Sequence, residues 1–237
     1  SQTLSGSEYE SFDGPQKYLH GTDSFKISET LTQEIVYNAL RLYQQNQTQT
    51  HEPPQNIVLH KLGPIYESEV LGVLEGVRQL LGTLEKCKLG IVQIEQDHQV
   101  RLYGPLNPTD GKLDRTVLRG TGLIINKQKI ALASTGSTQR KSGTFYSGIG
   151  TPQPLLITSV LPSPSILNKY TIRSNQFYET LSLARHVMAL TQLHWGSTKD
   201  NIRLPITAMY AQKVADLISK TKANVDTWAS YHRPWFL

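Results

Sequence analysis

The eight residues from Asn56 to Gly63, reading Asn-Ile-Val-Leu-His-Lys-Leu-Gly, constrain the fold more than any other stretch of the chain. Ile57 to Leu59 form a short apolar run closed by a turn at Gly63, with helical periodicity on either side, which is how a buried strand of an α/β sheet reads. Upstream, Leu31, Ile35, Ala39 and Tyr43 recur at helical spacing, Val36 and Leu40 widen the stripe, and Thr30-x-x-Gln33 reads as a capping box. Downstream, Val70, Leu74, Val77, Leu81 and Leu84 share one helix face that ends at Lys86 and Lys88, and Gly90 to Ile94 is a second strand. Strand, helix, strand at this spacing is a βαβ unit, so the two strands are expected to be parallel neighbours. Ligands of such sheets collect past the carboxyl ends of the strands. The residue expected there, Leu62, is apolar and can do no acid, base or metal chemistry.

Beyond Arg101 the pattern changes. Gly122 to Asn126 and Lys129 to Ser134 read as a β-hairpin, Thr135 to Ser147 as a polar loop, and Leu155 to Val160 as a further strand. Ser174 is placed to cap a helix carrying Phe177, Leu181, Ala184, Val187 and Thr191, and a last helix starts near Pro205 and buries Ile206, Tyr210, Val214 and Leu217. With 237 residues and no internal repeat, one mixed α/β domain over 1–237 is the simplest account. No apolar run approaches the ~20 residues that span a bilayer. The single Cys87 makes no internal disulfide and suits a reducing cytoplasm. A net charge of +5 permits a polyanionic partner without demanding one. The chain opens at Ser1 and its methionines are Met188 and Met209, so a processed or excised piece of a longer protein is expected.

Four stretches, in this order, carry a family resemblance: Asn56 to Gly63; Gly150-Thr-Pro-Gln-Pro154; Leu193-His-Trp195 through Arg203-Leu-Pro-Ile-Thr207 to Tyr210-Ala211; and the terminal Pro234-Trp-Phe-Leu237. Together they resemble the Piwi domain of Argonaute proteins. The resemblance implies an RNase H-like mixed sheet flanked by helices, holding a guide strand and pairing it with a target. Slicing members use Asp-Glu-Asp and a final Asp or His to hold divalent metals, and losing a carboxylate ligand removes most of the activity. The third of these positions corresponds to Leu62 and the last to Gln212, after Tyr210-Ala211. A slicer-inactive domain of the short or truncated prokaryotic type is therefore expected, with a MID domain upstream, an effector protein as a possible partner, and a role in prokaryotic defence. Whether guide and target are RNA or DNA has no readable motif.

The resemblance also nominates binding residues. The terminal carboxylate of Leu237 would help hold Mg2+ or Mn2+ against the guide 5′ phosphate, hard oxygens around a hard cation. Thr151 and Gln153 would touch guide phosphates from the loop before a strand, and His98 and Arg101 from the loop after Ile94. Lys199, Arg203 and Tyr210 flank the start of the last helix, where unpaired N–H groups favour phosphate. Tyr210 also lies on the apolar face, where a core role is equally open. Two other readings remain: a metal-dependent guided endonuclease using Asp97 or Asp216, and a scaffold that docks an effector.

Overall fold

The computed structural model describes residues 26–45, 53–104, 117–139, 145–146, 152–193 and 202–221. Helix α1 (Glu29–Gln45) leads to strand β1 (Asn56–Leu62), helix α2 (Glu67–Leu81) and strand β2 (Lys88–Glu95). A hairpin of β3 (Gly122–Asn126) and β4 (Lys129–Leu132) follows, then the short pair β5 (Thr138–Gln139) and β6 (Phe145–Tyr146), and β7 (Leu155–Ser159). Helices α3 (Pro164–Lys169), α4 (Thr180–Leu190) and α5 (Ile206–Thr221) close the described chain. No helix among the described residues is long and apolar enough to cross a membrane.

The main sheet runs β1-β2-β7-β4-β3. β1 and β2 are parallel, from Asn56 opposite Lys88 to Leu62 opposite Ile94, as the βαβ spacing requires. The other neighbours are antiparallel. The two-residue side-chain period of a strand then sorts the core. Leu89 and Ile91 of β2 face α1 and α2, together with Val73, Leu74 and Val77. Val92 and Ile94 face the other way, toward Leu183 and Val187 of α4 and Ala208 of α5. Helices thus cover both faces of a mixed sheet, the α/β architecture expected.

Several local expectations need correction. β1 is half-buried rather than buried, because among the described residues it pairs on one side only and carries polar side chains at His60 and Lys61. Ser28, not Thr30, caps α1: its hydroxyl accepts the Leu31 N–H at 3.2 Å. Leu84 is buried but lies past α2, which stops at Gly82 in the left-handed conformation (φ 71°). Ser174 opens a three-residue 3-10 turn, and Phe177 bridges to Leu89 as extended chain. Helix α4 begins at Thr180, whose hydroxyl donates to the Lys127 carbonyl at 2.7 Å and meets the Ser159 hydroxyl at 2.7 Å. Leu181 is consequently exposed, and Leu183 takes the core position beside Ala184 and Val187. The polar loop Thr135 to Ser147 contains the β5–β6 pair. The side chain of Leu217 lies outside the described set.

The α1–α2 contact depends on two glycines. A β-carbon on Gly72 would meet the Glu29 carbonyl oxygen and lie 2.6 Å from Thr32 Cβ; one on Gly76 would lie 2.7 Å from the Gln33 carbonyl oxygen and 2.9 Å from Val36 Cβ. Bare backbone at both positions lets the helices close on each other, a four-residue spacing that puts both glycines on one helix face.

Candidate nucleic-acid interface

The loop after β2 and the residues leading into β7 meet at one end of the sheet, and side chains knit them together. His98 Nδ1 accepts the Val100 N–H at 3.2 Å, and Nε2 donates to the Pro154 carbonyl at 2.8 Å. Gln153 Nε2 donates to the His98 carbonyl at 2.8 Å. From just before α5, Arg203 Nη2 donates to the Gln96 carbonyl at 2.6 Å. Arg101 folds over the same loop, donating to the Val100 carbonyl at 3.0 Å, and stays exposed. Four expected contact residues, His98, Arg101, Gln153 and Arg203, therefore form one node. The chemistry within it is mixed. His98 and the amide N–H of Gln153 hold backbone, whereas the guanidinium of Arg203 keeps a buried Nε without a protein partner. Burial lowers the Arg203 pKa, Arg101 adds to the effect, and Asp97 opposes it. The charge of Arg101 is felt at Arg203, and the exposed guanidinium of Arg101 is the group of the node placed to meet an anion.

The other expected residues fall elsewhere. Tyr210 is half-buried in α5 with the Lys213 ammonium 5.6 Å from its ring centre. Asp216 is exposed further along α5, and Asp97 is exposed beside the node. Thr151, Lys199 and Leu237 lie outside the described residues.

At the carboxyl end of β1, Gly63 adopts φ 84° and donates its N–H to the Ile94 carbonyl at 3.0 Å. Leu62 packs against the apolar cluster that includes Val92, Ile94, Leu204 and Ala208, beside Met209. Lys61 points the other way, paired with the buried carboxylate of Glu69, which also accepts the Tyr66 N–H at 2.7 Å and so fixes the turn into α2. Gln212 is exposed on α5. Among the described residues no three His, Cys, Asp or Glu side chains come close enough to share a cation.

Sequence reasoning missed His60. Strand alternation puts it between Val58 and Leu62 on the α4/α5 face, and its Nδ1 lies 2.8 Å from Thr207 Oγ1 at the start of α5. Among the described residues its buried Nε2 finds no hydrogen-bond partner. Burial, and secondarily the charge of His186, hold its pKa down at about 4. The signal was available: an imidazole one alternation before the strand end, on the core face, must find a partner.

No protein-family model and no curated protein matches the sequence. Solved structures do match. Clostridium butyricum Argonaute bound to a guide DNA and a 19-mer target DNA superposes with a TM-score of 0.56 at 24% identity, over 83% of this chain and 21% of that one. Aquifex aeolicus Argonaute gives 0.52 at 18% identity, over 82% and 22%. The C-terminal lobe of a budding yeast Argonaute gives 0.55 at 16% identity, over 83% and 38%. The chain has the Argonaute Piwi fold. It spans about a fifth of the length of the two bacterial Argonautes. Within this RNase H-like Piwi fold, the node of Arg101 and Arg203 lies past the carboxyl end of β2, where open α/β sheets take their ligands.

Proposed function

We propose that the chain is the guide-holding Piwi domain of an Argonaute-type protein and that it does not cut. The observation that carries guide holding is the node itself: exposed Arg101 and half-buried Arg203 both bonded to the loop after β2, with Gln153 and His98 bracing that loop. It sits on a fold shared with an Argonaute solved with guide and target DNA. Arginines of this kind read backbone charge, and sequence choice is left to base pairing. The apolar packing of Leu62 supports inactivity, because a two-metal mechanism needs carboxylate oxygens there, and the exposed amide of Gln212 is a poor substitute.

The reading extends, on the resemblance alone, to a Mg2+ or Mn2+ ion shared between the Leu237 carboxylate and the guide 5′ phosphate. The same holds for Thr151, Lys199 and Tyr210 as further guide contacts, a MID domain, an effector subunit, and a place in prokaryotic defence in the cytoplasm.

The test is binding of a 5′-phosphorylated guide to the full-length protein across a salt series. Between about 50 and about 200 mM salt the affinity should fall at least about tenfold. Arg203→Gln should weaken binding by about tenfold and make the log–log salt slope shallower by about one. Affinity that ignores salt would contradict phosphate-based holding. With Mg2+ or Mn2+ present a complementary target should stay intact; cleavage lost in Asp216→Ala would overturn the inactive assignment.

A further inference from the structure

Arg203 of the node stands just before the first turn of α5, and that turn is seated on β1. Leu204 and Ala208 join the apolar cluster against which Val58 and Leu62 of β1 pack. Such contacts are non-directional, so alone they leave the helix free to shift along the strand. One directional contact lies among them. His60, on the same face of β1 between Val58 and Leu62, brings Nδ1 to 2.8 Å from Thr207 Oγ1. Thr207 lies in the first turn of α5, four residues past Arg203, whose Nη2 reaches the Gln96 carbonyl at 2.6 Å. An imidazole is a costly choice for this place. Its Nε2 is buried and finds no hydrogen-bond partner among the described residues, and a leucine of similar size would match the aliphatic side chains around it. Where a buried polar group is kept against such a cost, fixing the register of one element on another is its best-attested use.

We propose that His60 is a positioning residue for guide holding: its hydrogen bond to Thr207 fixes where α5 starts on β1, and with it the reach of Arg203 to the loop that carries Arg101. This role rests on the guide-holding reading of the node. Either tautomer of the neutral ring makes the bond, because the Thr207 hydroxyl both donates and accepts. Without the bond the apolar cluster still closes, but the start of α5 settles by packing alone. A shift of about 1 Å there carries Arg203 Nη2 out of hydrogen-bond range of the Gln96 carbonyl. Guide affinity then falls while the fold persists.

The test changes both partners of the full-length protein to apolar residues of similar shape, His60→Leu together with Thr207→Val. Removing both ends of a hydrogen bond strands neither and is close to neutral for stability. Affinity for a 5′-phosphorylated guide is measured beside the melting temperature. The expected result is an affinity lower by about fivefold, the worth of one hydrogen bond, at a melting temperature equal to or above that of the unaltered protein. Thr207→Ser, which keeps the hydroxyl, should bind within about twofold of the unaltered protein. In an Arg203→Gln background the paired change should cost less than about a further twofold, because its effect passes through Arg203. Unchanged affinity in the paired variant, a loss that follows a lowered melting temperature, or the same loss repeated in the Arg203→Gln background would each overturn the proposal. Failure of the guide-holding reading looks different: the unaltered protein takes up no guide, or Arg203→Gln binds as well as it does, and the positioning role falls with that reading.

Discussion

Gly72→Ala is expected to destabilise the protein by about 2 kcal/mol, read as a lower urea midpoint at constant slope. Two effects oppose each other. Alanine in a helix interior is favoured over glycine by about 1 kcal/mol. Against this, the new methyl would press on the Glu29 carbonyl oxygen and stand 2.6 Å from Thr32 Cβ, both parts of α1 that cannot swing aside like a side-chain tip. The helices must separate, and overpacking of this kind costs about 1–3 kcal/mol with loss of contacts around Val36 and Leu40 added to it. Packing should win. Gly76→Ala, meeting Gln33 and Val36 at 2.7 and 2.9 Å, should act in the same direction. A stabilised Gly72→Ala protein would mean that propensity decides and that α1 and α2 are not held this close.

The second large effect is the response of stability to acid. The His60 imidazole keeps a pKa of about 4 in the fold against about 6.5 when exposed. Well above pH 6.5 it is neutral in both states, and its titration does not affect stability. As the pH falls from 6.5 toward 4 the unfolded chain binds the proton and the fold does not, so stability is lost, with a ceiling of about 3 kcal/mol reached below pH 4. His60→Gln keeps a hydrogen-bonding group toward Thr207 and removes the titration. The difference in unfolding free energy between the two proteins should shift in favour of His60→Gln as the pH drops through this window. A difference that stays flat from pH 7 to pH 4 would show that His60 takes its proton freely in the fold.

The fold was legible where one side of an element dominates. The apolar stripe of Leu31, Val36 and Leu40, and the run from Ile57 through Gly63 to Val77, fixed α1, β1 and α2 because hydrophobic period and turn residues agree there. Tertiary context decided the rest. Ser174 looks like a cap, but Phe177 is drawn into a bridge with Leu89, which delays α4 to Thr180. The short helix α3 has too few residues for a period to show. Gly72 and Gly76 read as weak points of a helix, and their purpose appears only when α1 lies against them.

The candidate site was legible in part for a similar reason. His98 and Gln153 stand out as polar groups near strand ends, and Arg203 as one at the start of a helix. That His98 and Gln153 spend their donors on carbonyls of each other's segments, while Arg203 retains a buried Nε, depends on distances of about 3 Å that no sequence pattern encodes. His60 lies within β1, and strand alternation alone puts it on the core face, but its partner Thr207 is far away in sequence and appears only in the fold.

The measurement that bears most directly on the guide-holding account is extraction of nucleic acid from the full-length protein purified from its own cells, with the length, sugar and 5′ end of any strand determined. The account predicts short strands of narrow length carrying a 5′ phosphate, lost on washing at high salt more readily from Arg203→Gln than from the unaltered protein. A folded protein that carries no nucleic acid, and takes up no 5′-phosphorylated guide when offered one, would contradict it.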